Sequence, residues 1–251
     1  MGRAQMVVAV SVAVGAIVVE PVTAQDAPPT RSSLEIRIAP KKAGTKKHPR
    51  GVTLSAKARW NTEPGLDAPI VTGAELLIGK GIAFNGGRYP TCTKAVLRLE
   101  GPKGCPKRSI VGQSRSGFVE PPDGGTRAGI VMVNGGQGRL FAYTTIYHPT
   151  LVQEPVELRN ERLTGRWSHR FGMTVPMNFQ LVADVPVQIS EAAAKLGQPY
   201  APSFVTTTSC PKGGWRYRMT THYVDNLTWQ RGSDTIKGRV PCEKSRARRS
   251  R

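Results

Sequence analysis

From Trp215 to Tyr223 the chain alternates without a break. Trp215, Tyr217, Met219, Thr221 and Tyr223 fall on one side, and Arg216, Arg218, Thr220 and His222 on the other. A period of two places the two sets on opposite faces of a β-strand, one aromatic and apolar, the other basic. The apolar face must be covered by other strands, while the basic face stays in water, which is the pattern of an antiparallel sheet packed on one side. The same alternation recurs in Leu34–Ile38. It recurs again where Val52, Leu54, Ala56 and Ala58 oppose Thr53, Ser55, Lys57 and Arg59. In Arg139–Tyr147, Phe141, Tyr143 and Tyr147 oppose Leu140, Ala142 and Ile146.

Further strands are expected at Val71–Ile78, Ile82–Phe84, Ala95–Leu99, Ser109–Val119 and Asp234–Val240, with one or two more in Val156–His169 around Gly165. The string Asn134-Gly135-Gly136-Gln137-Gly138 between Ala128–Val133 and Arg139–Tyr147 predicts a hairpin. One helix is expected, at Ser190–Gly197, with Ser190 as N-cap and Gly197 just past its end. Gly (27) and Pro (20) are plentiful and aromatics sparse at 6%, which suits short strands joined by turns. The expected fold is all-β: an antiparallel β-sandwich, immunoglobulin-like or related, with two disulfides and at most one short helix. It would span residues 34–243, as one domain or two packed sub-domains.

The amino terminus has the layout of a secretory signal peptide. Arg3 precedes the apolar run Met6–Val19, Glu20 and Pro21 end it, and Val22-Thr23-Ala24 offers small residues for cleavage after Ala24. The run is short for a membrane span, which needs roughly 20 apolar residues. Residues 25–33 read as a flexible linker. In an exported chain four cysteines read as two disulfides. Of the three possible connectivities, the nearest-neighbour one, Cys92–Cys105 and Cys210–Cys242, closes two local loops and is the expected one. The cysteines form no Cys-x-x-Cys pair and the four histidines are scattered, so a zinc site is not indicated.

Charge is the strongest bias. Lys and Arg outnumber Asp and Glu by 36 to 17, for a net charge of +19. A surface of this sign attracts polyanions. Two clusters stand out: the loop carrying Lys41, Lys42, Lys46, Lys47 and Arg50, and the tail 244–251, expected to be disordered. With Arg216 and Arg218 these five loop residues are the candidate contacts for an anionic envelope polymer or another polyanion. On Trp215–Tyr223 the aromatics lie opposite the arginines and are assigned to the core. Catalytic patterns are absent. Gly112-Gln113-Ser114-Arg115-Ser116 lacks the last glycine of a nucleophile elbow. Any triad of Ser114 with His148 or His169 and Asp184 or Asp225 exists only on paper, and Glu154, Glu157 and Glu161 have no partner placed across a cleft. No cofactor motif is found.

The segments Phe84-Asn85-Gly86, Tyr89-Pro90-Thr91-Cys92, Gly101-Pro102-Lys103-Gly104-Cys105-Pro106 and Ser109-Ile110-Val111-Gly112, with Cys210-Pro211-Lys212-Gly213-Gly214-Trp215, resemble a group of secreted bacterial proteins without assigned function. The resemblance covers roughly residues 35–243. It implies an exported domain with the same cysteine pairs, and no activity, cofactor or catalytic residue. Gln113-Ser114-Arg115 departs from it, since smaller residues are expected after Val-Gly. The function expected is a secreted, non-catalytic protein that associates with the cell envelope or an extracellular polyanion. The alternatives are a secreted hydrolase with an unrecognised site and a subunit of a surface assembly.

Overall fold

The computed structural model describes residues 31–61, 69–120, 126–147, 150–182, 185–186, 188–225 and 228–244. The expected signal peptide, most of the expected linker and the tail beyond Lys244 lie outside the described residues. The strands are β1 (Arg31–Ala39), β2 (Arg50–Gly51), β3 (Thr53–Asn61), β4 (Ile70–Gly79), β5 (Ile82–Phe84), β6 (Ile110–Glu120), β7 (Thr126–Gly136) and β8 (Arg139–Ile146). They continue as β9 (Val152–Arg162), β10 (Trp167–Thr174), β11 (Leu181–Val182), β12 (Val185–Pro186), β13 (Gln188–Gly197), β14 (Val205–Thr207), β15 (Trp215–Val224) and β16 (Arg231–Val240). Helix α1 spans Lys94–Glu100, and α2 is a single turn at Met177–Gln180.

Eleven strands form one antiparallel sheet in the order β1-β3-β13-β6-β7-β8-β9-β10-β4-β15-β16. The fold is therefore all-β, as the alternation requires, and the sheet curls until its walls face each other across a shared core. Its edges, β1 and β16, come together. Eleven is odd, so the two edge strands of this antiparallel sheet run in the same direction, and no antiparallel ladder can join them. Side chains make the seam instead. Asp234 accepts from the Ser32 N–H at 2.7 Å, and the Tyr217 hydroxyl donates to the Leu34 carbonyl at 3.2 Å. Tyr217 reaches β1 because Gly238, opposite it on β16, leaves room: a Cβ there would sit 2.2 Å from the Tyr217 oxygen.

The inward faces meet in two apolar clusters. One gathers Leu54, Ile78, Met132, Leu140, Trp215 and Val240; the other includes Trp60, Val71, Ile146, Val156 and Met219. Trp60 of β3 donates across the interior to Thr221 of β15 at 3.1 Å. The small sheet β2-β14-β5 adds Phe84 and Val205 to the first cluster. Trp215, Met219, Thr221 and Tyr223 are buried, as the alternation predicts. No helix among the described residues is long and apolar enough to cross a membrane.

Two local expectations are overturned. Ala95–Leu99 is not a strand but the body of α1. Thr93 caps it, accepting from Val96 N–H at 3.2 Å, and Gly101 ends it at φ +66°. Lys, Ala, Leu, Arg and Glu all favour helix, and only Leu97 has to be buried, so a strand face was never needed. Conversely, Ser190–Gly197 is not a helix but part of β13, paired on both sides by β3 and β6. Its alanines are good helix formers, yet Ala192 and Ala194 fit the inner face and pairing with two strands overrides propensity.

Helix α1 lies on the outer face of the sheet. Cys92, Leu97 and Cys105 pack with Val133, Phe141 and Tyr143, so the second face of β8 is covered too. Glu154 of β9 pins the helix, bonding Arg98 at 2.6 Å with Lys94 at 3.7 Å. Cys92–Cys105 and Cys210–Cys242 are both disulfide-bonded, in the nearest-neighbour pairing.

Candidate functional site

The outer faces of β15 and β16 are cationic in a way that sheet stability alone disfavours. The register sets Arg216 opposite Arg239 and Arg218 opposite Lys237, two successive like-charged pairs. Like charges directly opposite each other on neighbouring strands are destabilising. Among the described residues no carboxylate forms an ion pair with Arg216, Lys237 or Arg239. Arg218 has a distant one, Glu75 of β4, at 3.8 Å, and Glu75 also faces Arg170 of β10 at 3.9 Å.

An aromatic ring borders this patch. The register between β10 and β4 shifts between Trp167 and His169, and a β-bulge of this kind re-aims a side chain. Phe171 and His169 point inward, while Trp167 turns out, with the guanidinium carbons of Arg166 and Arg218 5.4 and 5.9 Å from its ring centroid. The rest of the aromatic alternation belongs to the core, as expected.

The basic loop after β1 is fastened to the same end of the barrel. Ala43 N–H donates to the Glu243 carbonyl at 2.9 Å, and Glu243 N–H to the Lys41 carbonyl at 3.0 Å, so Lys42 and Glu243 form a parallel bridge. Glu243 follows Cys242, which is tied to Cys210, and lies four residues beyond Arg239. Ala43 and Gly44 are buried, while Lys41, Lys42, Lys46, Lys47 and Arg50 are exposed. Two sequence clusters some two hundred positions apart therefore start from one place: Lys42 sits beside Glu243, and Lys244 follows it. The neighbouring acid at this end is Glu243 itself.

Several other carboxylates are engaged elsewhere. Glu191, with its side chain about one-tenth exposed, lies between Lys57 at 2.7 Å and Arg59 at 2.8 Å. Burial alone would raise its pKa, but the bonds and charges of Lys57 and Arg59 outweigh that and lower it. Glu157 pairs with Arg159 at 3.0 Å, and Glu161 pairs with Arg170. Glu75, Glu157 and Glu161 line one open groove of about 660 Å³ over β9, β10 and β4. It brings carboxylates across from each other, which their spacing in sequence did not indicate, but each one has an arginine as its counter-ion. Ser114 and His169 are not brought together, since β7, β8 and β9 separate their strands. His148 and Asp184 lie outside the described residues. No group of three potential metal ligands gathers among the described residues.

The segments behind the resemblance build structure. Asn134, buried in the hairpin, donates its side-chain amide N–H groups toward the carbonyls of Gly86, Tyr89 and Pro90 at 3.0, 3.1 and 3.0 Å, and its backbone carbonyl accepts from Cys92 N–H. Asn85 donates to the Ser203 carbonyl at 2.8 Å. These residues fix the loop that delivers Cys92 to its partner. No known protein family matches the chain, and no curated protein is significantly similar to it, so the resemblance rests on these residues alone.

Proposed function

We propose that the protein is an exported, non-catalytic β module that holds an anionic polymer of the cell envelope or extracellular space through its basic surface. The observation that carries this reading is two opposed like-charged pairs, Arg216 with Arg239 and Arg218 with Lys237, with no close counter-ion among the described residues. A polyanion laid over them would supply the missing charge. The Met1–Ala24 leader and the two disulfides support export, because disulfides persist in oxidising compartments.

The test is binding of a labelled acidic polysaccharide, polygalacturonate, across a salt series. Exposed charge contacts are screened as the Debye length shrinks, so affinity should fall about tenfold or more between ~0.05 M and ~0.5 M salt. Arg216→Ser combined with Arg239→Ser should abolish most of the low-salt binding. Binding that survives high salt, or that ignores the double substitution, refutes the reading.

A further inference from the structure

The seam between β1 and β16 joins two cationic surfaces. β1 and β16 share no ladder, but counting five residues along each from the Ser32–Asp234 bond puts Arg37 near Arg239. Arg239 is opposite Arg216 on β15, Gly79 of β4 lies against Arg216, and Trp167 of β10 is opposite Gly79. On the other side of the seam Arg37 is opposite Ser55 on β3, and Ser55 is opposite Lys195 on β13. Lys195, Arg37, Arg239 and Arg216 thus stand in one row across the strands, with no carboxylate in it.

The next row runs from Lys57 through Glu35 and Lys237 to Arg218, and past Leu77 to Arg170. Its one acid, Glu35, is turned to Arg37 at 2.5 Å. Below it, Glu191 is consumed by Lys57 and Arg59, and Glu75 lies between Arg170 and Arg218. At the β13 end the surface sinks into a groove of about 640 Å³ walled by Arg37, Lys57, Arg59 and Lys195, with the half-exposed Tyr200 at its rim. Trp167 marks the opposite end.

We propose that these rows form one track, running at right angles to the strands and across the seam, for an extended acidic polysaccharide. The proposal rests on the polyanion reading above and adds the course and length of the ligand. Followed round the curved sheet, the six intervals between the seven strands from β13 to β10 add up to roughly 29 Å at the usual spacing. An acidic sugar chain suits the track better than a nucleic acid. Single-stranded nucleic acid is held by a succession of aromatic platforms, whereas among the described residues aromatic rings border this track only at its two ends, where a sugar ring can stack.

The experiment measures affinity for polygalacturonate oligomers of increasing length in low salt, with oligothymidylate as the comparison. For the wild type, affinity should climb until the oligomer approaches ~29 Å and then level off. Arg37→Ser with Lys195→Ser should weaken the longest oligomers about tenfold and the shortest by less, so that affinity levels off at a shorter length, with an unchanged melting temperature confirming the fold. Arg37→Gln with Lys195→Gln should behave alike. An affinity independent of length, or long oligomers indifferent to both double variants, overturns the track while leaving polyanion binding in place. Tighter binding of oligothymidylate overturns the choice of polysaccharide. Failure of every polyanion to bind the wild type overturns the functional reading itself.

Discussion

His169 carries an imidazole inside the barrel, edge-on to Phe84 at 5.0 Å and stacked near Phe171, with Nδ1 2.9 Å from the Asn160 side-chain oxygen. Burial, and then the positive charge of Arg162, lower its pKa from 6.5 to about 4, against a weaker opposing hydrogen bond with the Ile82 backbone. The folded chain therefore holds a neutral ring where the unfolded chain takes up a proton. Its contribution to stability is complete above pH 6.5 and is lost as the pH falls through that value toward 4. The slope is bounded by about 1.4 kcal/mol per pH unit, and screening of the exposed Arg162 narrows the pH window over which it acts. His169→Phe keeps the aromatic packing and removes the proton. Urea midpoints between pH 7 and pH 4.5 should drop less steeply for the variant than for the wild type, and parallel curves would show that the ring does not titrate as its surroundings require. Asn134 illustrates a residue whose role needs the structure: as one letter in a turn string it signals a hairpin, yet its buried amide organises the whole Gly86–Pro90 loop.

The unit made of α1 and the Cys92–Cys105 bridge is an outer layer on a sheet that is complete without it. Closing a loop of 13 residues stabilises by about 3 kcal/mol in the loop-entropy account. Cys92→Ser with Cys105→Ser should cost about that much, strip amide protection from the 92–105 segment, and leave β7 to β9 protected in hydrogen exchange. Global loss of protection would instead make this layer part of the barrel's folding unit. The same two elements show where sequence reasoning succeeds and fails. Strands with strict alternation, such as β3 and β15, were legible because one face had to be buried. Helix α1 and strand β13 were misread because the state of each was decided by something outside local periodicity. For α1 that was the Thr93 cap and the Gly101 stop; for β13 it was a place between two waiting strands. The candidate surface was legible only in part. Arg216 and Arg218 showed themselves as a basic face, but Lys237 and Arg239 gain their place in it only from the register that sets them opposite. Lys195 and Arg37 join them only through the barrel's closure, which no local pattern encodes.

Closure is the property of the whole molecule on which the fold and the proposed track both depend. An odd number of antiparallel strands leaves parallel edges, and the seam is carried by few groups: Asp234 on Ser32, Tyr217 on Leu34, the Lys42–Glu243 bridge and the nearby Cys210–Cys242 link. Burial, and then the Glu35 carboxylate on β1, hold the Tyr217 hydroxyl protonated by raising its pKa, so it stays a donor to Leu34. Its position depends on Gly238, since a side chain there would overlap the ring at 2.2 to 2.9 Å. Gly232 plays the same part beneath Tyr223, where the nearest ring atom would be 2.5 Å away. Tyr217→Phe deletes only one hydrogen bond and should cost about 1 kcal/mol. Gly238→Val drives the ring off the seam and should cost more, about 2–3 kcal/mol by overpacking alone, with protection lost first in β1 and β16. Adding Tyr217→Ala to Gly238→Val removes the clash, so the pair should be less destabilised than the sum of the single changes. Simple additivity in denaturant melts would mean that the tyrosine does not lie over the glycine. A Gly238→Val protein that melts like the wild type would mean that the barrel is not closed through this seam, and the row from Lys195 to Arg216 would then be broken at Arg37.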